Sequence, residues 1–162
     1  MSLRAALVDA FKAEATISNL VDTRVFDIFY DFEDFLNSKA NRVSKFPSIT
    51  VESNGAENEN NLDSHDNLIR ETFTITCYQQ VNLSKLRSRS NTVQNKERDI
   101  LRQIDTLGDA VNLFIKDKTG IVGSYFLRSS HISDDTDDIF ETEDNREIVT
   151  RVLTYNVGFS NN

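Results

Sequence analysis

The chain has 162 residues, 38% of them hydrophobic and 27% charged, with a formal charge of −8 at neutral pH. That length supports one self-sufficient domain over residues 1–162, since a fold of this size buries roughly 70% of its unfolded surface. The acidic balance argues against a general nucleic-acid binder, which needs a net basic face; no apolar stretch reaches the roughly 18 residues of a membrane span, and the residues after Met1 lack the continuous apolar core of a signal peptide.

Ser2 is the expected N-cap of a first helix over Leu3 to Ala13, in which Leu3, Leu7, Ala10 and Phe11 recur at helical spacing. Thr16 to Leu20 adds a short turn with Ile17 and Leu20 facing inward. Asp22-Thr23 then breaks the helix ahead of an extended Arg24-Val25-Phe26. From Asp27 to Leu36, aromatic and acidic residues interleave without a clean period. A short helix from Phe32 to Ser38 is expected there, and the aromatics are either core or a docking patch.

Phe46-Pro47 begins a strand, a position where proline costs no ladder donor. Ser53 to Asn67 reads as a mobile hairpin connection. Ile69 to Tyr78 alternates Ile69, Phe73, Ile75 and Cys77 against Arg70, Thr72, Thr74 and Thr76, which predicts a half-buried strand. Cys77, the single cysteine, falls on the apolar parity and is expected to be a small buried residue. No intramolecular disulfide can form.

A polar, basic stretch from Val81 to Asn91 leads into a long helix over Thr92 to Ile115. Its stripe is Val93, Ile100, Leu101, Ile104, Leu107, Val111, Phe114 and Ile115. Gly108 inside it costs about 1 kcal/mol against alanine, which points to a kink or a close backbone contact. Gly120 and Gly123 turn the chain. Tyr125–Ile132 and Val149–Val157 are expected to pair as a long hairpin around an acidic excursion, Asp134 to Asp144. The fold class is therefore α+β: a mainly antiparallel sheet packed by an N-terminal helix and one long amphipathic helix.

No constellation carries chemistry. His65 and His131 with Cys77 make no zinc set, Gly120-Ile121-Val122-Gly123 lacks the lysine of a phosphate loop, and no Gly-x-Ser-x-Gly elbow occurs. The chain is read as a non-enzyme without catalytic, cofactor or metal residues. Asp134-Asp135-Thr136-Asp137-Asp138 has calcium-loop composition but not the central glycine or terminal glutamate. It is a solvated tip, a weak divalent site or a surface between subunits. The cations Lys85, Arg87, Arg89, Lys96 and Arg98 cluster within an acidic chain. They are either a solvated face or a patch that meets the acidic stretch of a neighbour. On the second reading the candidate interface is Lys85, Arg87 and Arg89 against Asp134, Asp135, Asp137 and Asp138.

The succession of an N-terminal helix ending near Ile17-Ser18-Asn19-Leu20-Val21, then Thr23-Arg24-Val25-Phe26, Phe46-Pro47-Ser48-Ile49-Thr50-Val51, Arg70 to Tyr78, the helix from Thr92 and Arg151 to Val157 resembles the tail terminator (tail completion) proteins of long-tailed bacteriophages. The likeness covers most of the chain as a pattern, with no single diagnostic residue; Asp27–Lys45 and Ser53–Asn67 are longer than that pattern. The resemblance implies a hexameric ring on the head-proximal end of the virion's tail tube. Such a ring stops polymerisation of the tube protein and offers a surface to the head-side connector, with no cofactor, membrane or specific nucleic acid as partner. A neck adaptor of the head-completion kind is the runner-up. An acidic metal-dependent enzyme and a DNA mimic stand behind it.

Overall fold

The computed structural model describes residues 2–27, 45–59, 68–116, 119–142 and 145–161. Helix α1 (Leu3–Ala13) starts where the Ser2 hydroxyl accepts from the Ala5 amide at 3.2 Å. It is followed by α2 (Ala15–Val21), β1 (Val25–Phe26), β2 (Ser48–Glu59), β3 (Leu68–Val81), α3 (Leu83–Leu86), α4 (Asn91–Ile115), β4 (Gly120–Val122), β5 (Tyr125–Glu141) and β6 (Glu147–Asn161). The strands form one six-stranded sheet in the order β1-β2-β3-β6-β5-β4. Every pairing is antiparallel except β1 on β2. The α+β architecture read from the sequence is the one observed.

Strand β6 is the axis of this sheet. It pairs with β3 from Ile69↔Phe159 to Val81↔Glu147, and with β5 from Tyr125↔Asn161 to Glu141↔Glu147. Period-two alternation sends Leu153, Tyr155 and Val157 of β6 to the same face as Phe73, Ile75 and Cys77 of β3 and Ile49 and Val51 of β2. There α1 and α4 cover them with Leu7, Phe11, Ile104, Leu107, Val111 and Ile115, all fully buried or nearly so. Each such side chain contributes roughly 1.5–3 kcal/mol. On the opposite face a smaller cluster, Phe46, Tyr78 and Ile148 with Phe26 against it, covers only the end of the sheet where β2 begins. Beyond that cluster the second face is polar.

Several elements depart from the sequence reading. The strand after Phe46-Pro47 begins at Ser48, and it continues as ladder to Glu59 through a register shift between Ser53 and Ala56. The hairpin connection expected over Ser53 to Asn67 is thus strand as far as Glu59, because β3 extends to Leu68 and supplies partners for it; residues 60–67 lie outside the described residues. The acidic excursion from Asp134 is strand as far as Glu141. Aspartate disfavours strands, but the β-branched and aromatic run of β6 offers a partner at every position, and pairing outweighs intrinsic preference. Val93 is exposed, while Glu97 is buried in the first turns of α4. The helix expected over Phe32–Ser38, and the aromatics around it, lie outside the described residues.

Cys77 is fully buried, and desolvation pushes its thiol up to about 12. An aromatic disulfide reagent at pH 8 should therefore leave the native protein unlabelled and react fully only in denaturing urea. Rapid native labelling would contradict the burial.

Candidate interaction surfaces

The basic residues occupy one corner. Lys85 lies in α3, Arg87 at its C-cap, and Arg89 in the link to α4; all three are exposed, as are Lys96 and Arg98 on the first turns of α4. The corner is fixed from below. Asn82 caps α3 by accepting from the Lys85 amide at 3.1 Å. The buried Glu97 carboxylate accepts from the Asn82 amide at 2.7 Å, and Gln94 Nε2 donates to the Leu86 carbonyl at 2.9 Å. A glutamate at 2% exposure is tolerated because it takes over an amide that the end of β3 would otherwise leave unmade.

The acidic residues lie on β5, where residues 133–141 are all exposed. Strand β4 covers β5 only at Tyr125–Leu127, so the outer side of this acidic run has no neighbouring strand among the described residues. Pairing with β6 sends Asp135 and Asp137 to the helix-covered face and Asp134 and Asp138 to the other. Exposed Ile139 and Phe140 follow. Among the described residues no ion pair joins Lys85, Arg87 or Arg89 to an aspartate of β5.

Asp134 and Asp138 each accept from the next residue's backbone amide, at 3.0 and 2.8 Å, and Asp135 is held by another side chain. Arg151 of β6 grips Asp135 through both carboxylate oxygens, Nε to Oδ1 at 3.0 Å and Nη2 to Oδ2 at 2.9 Å. Its Nη1 donates to Asp109 Oδ1 at 2.9 Å and to the Asp105 carbonyl at 3.1 Å, both on α4. The guanidinium holds the Asp135 carboxyl below the usual carboxylate range, and these partners raise Arg151 further. Gly108 makes room for it: a Cβ there would stand 2.6 Å from Arg151 Cδ and Nη1. The glycine conspicuous in the sequence thus marks a close contact. Its partner, Arg151, stands on the apolar parity of Val149, Leu153, Tyr155 and Val157, so a charge at that position was itself a sequence signal that the alternation reading passed over. Next along α4, the Tyr155 hydroxyl donates to Asn112 Oδ1 at 3.0 Å.

The polar part of the second face forms an open concavity of about 610 Å³ lined by Asn54, Arg70, Thr72, His131 and Asn156, among others. The Thr72 hydroxyl donates to Asn156 Oδ1 at 2.9 Å, and Asn54 Nδ2 donates to the Thr74 hydroxyl at 2.6 Å. It offers hydrogen-bonding groups on a pleated face. Among the described residues no three His, Cys, Asp or Glu side chains gather so as to hold a metal ion, and no helix is long and apolar enough to cross a membrane.

No family model and no curated protein matches the chain. Among solved structures, the fold is similar to that of a chain in the virion of a native gene transfer agent particle. That likeness has a TM-score of 0.55 at 12% identity, over 97% of this chain and 95% of the other.

Gly108→Ala sets two effects against each other. Alanine favours the helix by about 1 kcal/mol, whereas displacing the guanidinium loses charge-assisted bonds of about 1.5–3 kcal/mol each, discounted by solvent at Asp109 and Asp135. Urea unfolding should show a net loss of about 1–2 kcal/mol. In an Arg151→Ala background the same glycine change should instead stabilise by about 1 kcal/mol. The Asp135 contribution is present above the ordinary carboxylate range and disappears as pH falls through the depressed folded-state value.

Proposed function

We propose that this chain is a non-enzymatic structural subunit of a phage-like virion, and that it caps the finished tail tube. The observation that carries this reading is a whole-chain fold likeness to a virion particle chain, at 97% and 95% coverage. It agrees with the segment order that resembles tail terminators. In this reading, copies form a hexameric ring on the tube end, block addition of further tube protein and present a surface to the head-side connector. A heterologous contact repeated around the ring closes it. Lys85, Arg87 and Arg89 of one copy face Asp134, Asp137 and Asp138 of the next, while Asp135 is held by Arg151 and shapes the strand.

Charges at the rim of such a contact set register and orientation more than affinity. A DNA mimic fits less well, because Arg151 interrupts the acidic surface between Asp109 and Asp135.

Purified protein added to polymerising tube protein should yield shorter, length-limited tubes by electron microscopy. Unchanged tube lengths, together with binding to the portal side, would move the chain to the neck-adaptor reading. Arg87→Glu with Arg89→Glu should weaken ring formation about tenfold or more, in keeping with roughly 0.2–1 kcal/mol per exposed pair summed around a ring. Adding Asp137→Arg should restore part of it. Sedimentation velocity distinguishes these outcomes, and circular dichroism checks that each variant folds.

A further inference from the structure

Exposed charge pairs set the register of a ring contact and contribute little affinity, so a ring that relies on them needs an apolar contact as well. Among the described residues, Leu113 at 83% and Ile121 at 63% are the most exposed large apolar side chains. They lie on opposite faces of the molecule. On the helix layer, Leu113 lines a groove of about 300 Å³ with Ala110, Phe114, Glu14 and Thr16. The Thr16 hydroxyl donates to Glu14 Oε1 at 3.1 Å and holds that carboxylate at the groove wall. On the sheet, Val122 and Leu127 enter the core, so their neighbours Ile121 and Phe126, paired across the β4–β5 ladder, project from the second face. The Arg128 guanidinium stacks over the Phe126 ring at 4.8 Å, and its Nε donates to Ser160 Oγ at 3.4 Å. The otherwise polar second face thus ends at β4 in an apolar ridge beside a positioned cation.

We propose that the Ile121–Phe126 ridge of one copy seats in the Leu113 groove of the next, as the apolar half of the ring contact. The inference rests on the ring reading and adds a second contact to it. Three features select a second copy as the occupant. The first is charge: Glu14 is the charged residue among the described groove lining, and Arg128 accompanies the ridge. The second is spacing. The groove and the basic corner lie at opposite ends of α4, and Leu113 to Asn91 spans roughly 33 Å of helix. The ridge and the acidic run both lie along β5; Ser160 and Arg151, the β6 partners of Phe126 and Asp137, stand roughly 30 Å apart along the strand. The third is order. Asn112 bonds Tyr155 toward the Asn161 end of β6, whereas Glu97 bonds Asn82, next to Val81 and so to the Glu147 end. Both apolar features therefore lie toward one end of the molecule and both charged features toward the other. Copies related by rotation about an axis along α4 keep that order, so apolar meets apolar and cation meets anion in one contact. Asp134 and Asp138 project from the same face as the ridge, which makes that contact helix layer against second face. Such a contact is heterologous and closes a ring instead of a pair.

Cysteine pairs read this contact directly, because Cys77 is buried and does not compete. A mixture of Leu113→Cys and Ile121→Cys chains treated with a short bismaleimide should give a crosslinked dimer. Neither variant alone should do so, and the double variant should give a ladder of larger species. In sedimentation velocity, Leu113→Asp or Ile121→Asp should weaken self-association roughly tenfold or more. Glu14→Arg should weaken it less, and adding Arg128→Glu should recover part of the loss. The charged contact has its own mixture, Arg89→Cys with Asp137→Cys. If that mixture crosslinks and the Leu113 with Ile121 mixture does not, the groove proposal fails and the ring reading stands. If neither mixture crosslinks and the parent chain stays monomeric at every concentration and on tube ends, both fail. Crosslinking of either single variant with itself would mark an isologous contact and overturn the proposal. Circular dichroism checks that each variant folds, and Leu113→Gln or Ile121→Gln replaces any aspartate variant that does not.

Discussion

The guanidinium of Arg151 lies between the long helix and the sheet, with its side chain only 13% exposed. A charge in that position needs several hydrogen-bonded partners or its desolvation dominates. The chain supplies them from two elements: Asp135 on the neighbouring strand, and Asp109 with the Asp105 carbonyl on α4. Meeting that requirement constrains much else. The helix must come close enough for its backbone carbonyl to accept, which leaves no room for a Cβ at residue 108. Strand β5 must run alongside β6 as far as Asp135 and past it, so that its carboxylate can present both oxygens. A sequence that looks like an acidic loop is thereby held as an edge strand.

The same constraint places the surfaces. Helix α4 is anchored to β6 by Arg151 and by the Tyr155–Asn112 bond. At its other end it holds the basic corner through Glu97 and Gln94. The acidic edge is anchored to β6 by the ladder and by Asp135. Cationic and anionic surfaces are therefore carried on one frame, with few intervening degrees of freedom. Charge complementarity between copies fixes orientation only if each partner presents its charges in a defined place. A basic loop and an acidic loop, both mobile, would lose ordering entropy on any contact they made.

Much of the frame was legible in the sequence because burial writes itself as periodicity. The alternation of Phe73, Ile75 and Cys77, that of Leu153, Tyr155 and Val157, and the helical stripe ending Ile104, Leu107, Val111 and Ile115 all mark the observed core. What could not be read was held by contacts distant in the chain. Asp134 to Asp138 holds four aspartates around one threonine, a run that disfavours a strand by itself, and its state depends on β6. Residues after Ser53 look like loop because polar side chains suit a solvated sheet face as well as they suit a turn. Glu97 interrupts the apolar stripe for a reason visible only beside Asn82. Gly108 in the helix and Arg151 on the apolar parity of β6 were both local hints of the clamp, but neither named the other as its partner. The seven interface candidates divide on the same ground: composition marked the charges, but only geometry shows Asp135 paired with Arg151, and Asp134 and Asp138 bound to backbone amides.

An acidic edge strand is a costly way to make a solvent-facing surface. Each aspartate is a poor strand former, and neighbouring carboxylates repel. A flexible hairpin tip would have carried the same charges without those penalties. Here the penalties are offset from within: Arg151 neutralises part of the charge, β6 supplies the ladder, and two carboxylates bind amides that the edge would leave open. The outcome is a charged strand held in the ladder of β6. An exposed sheet edge is a template for indiscriminate pairing with other chains. Carboxylates bound to the outward amides of Asp135 and Ile139 oppose that pairing by occupying donors an incoming strand would need.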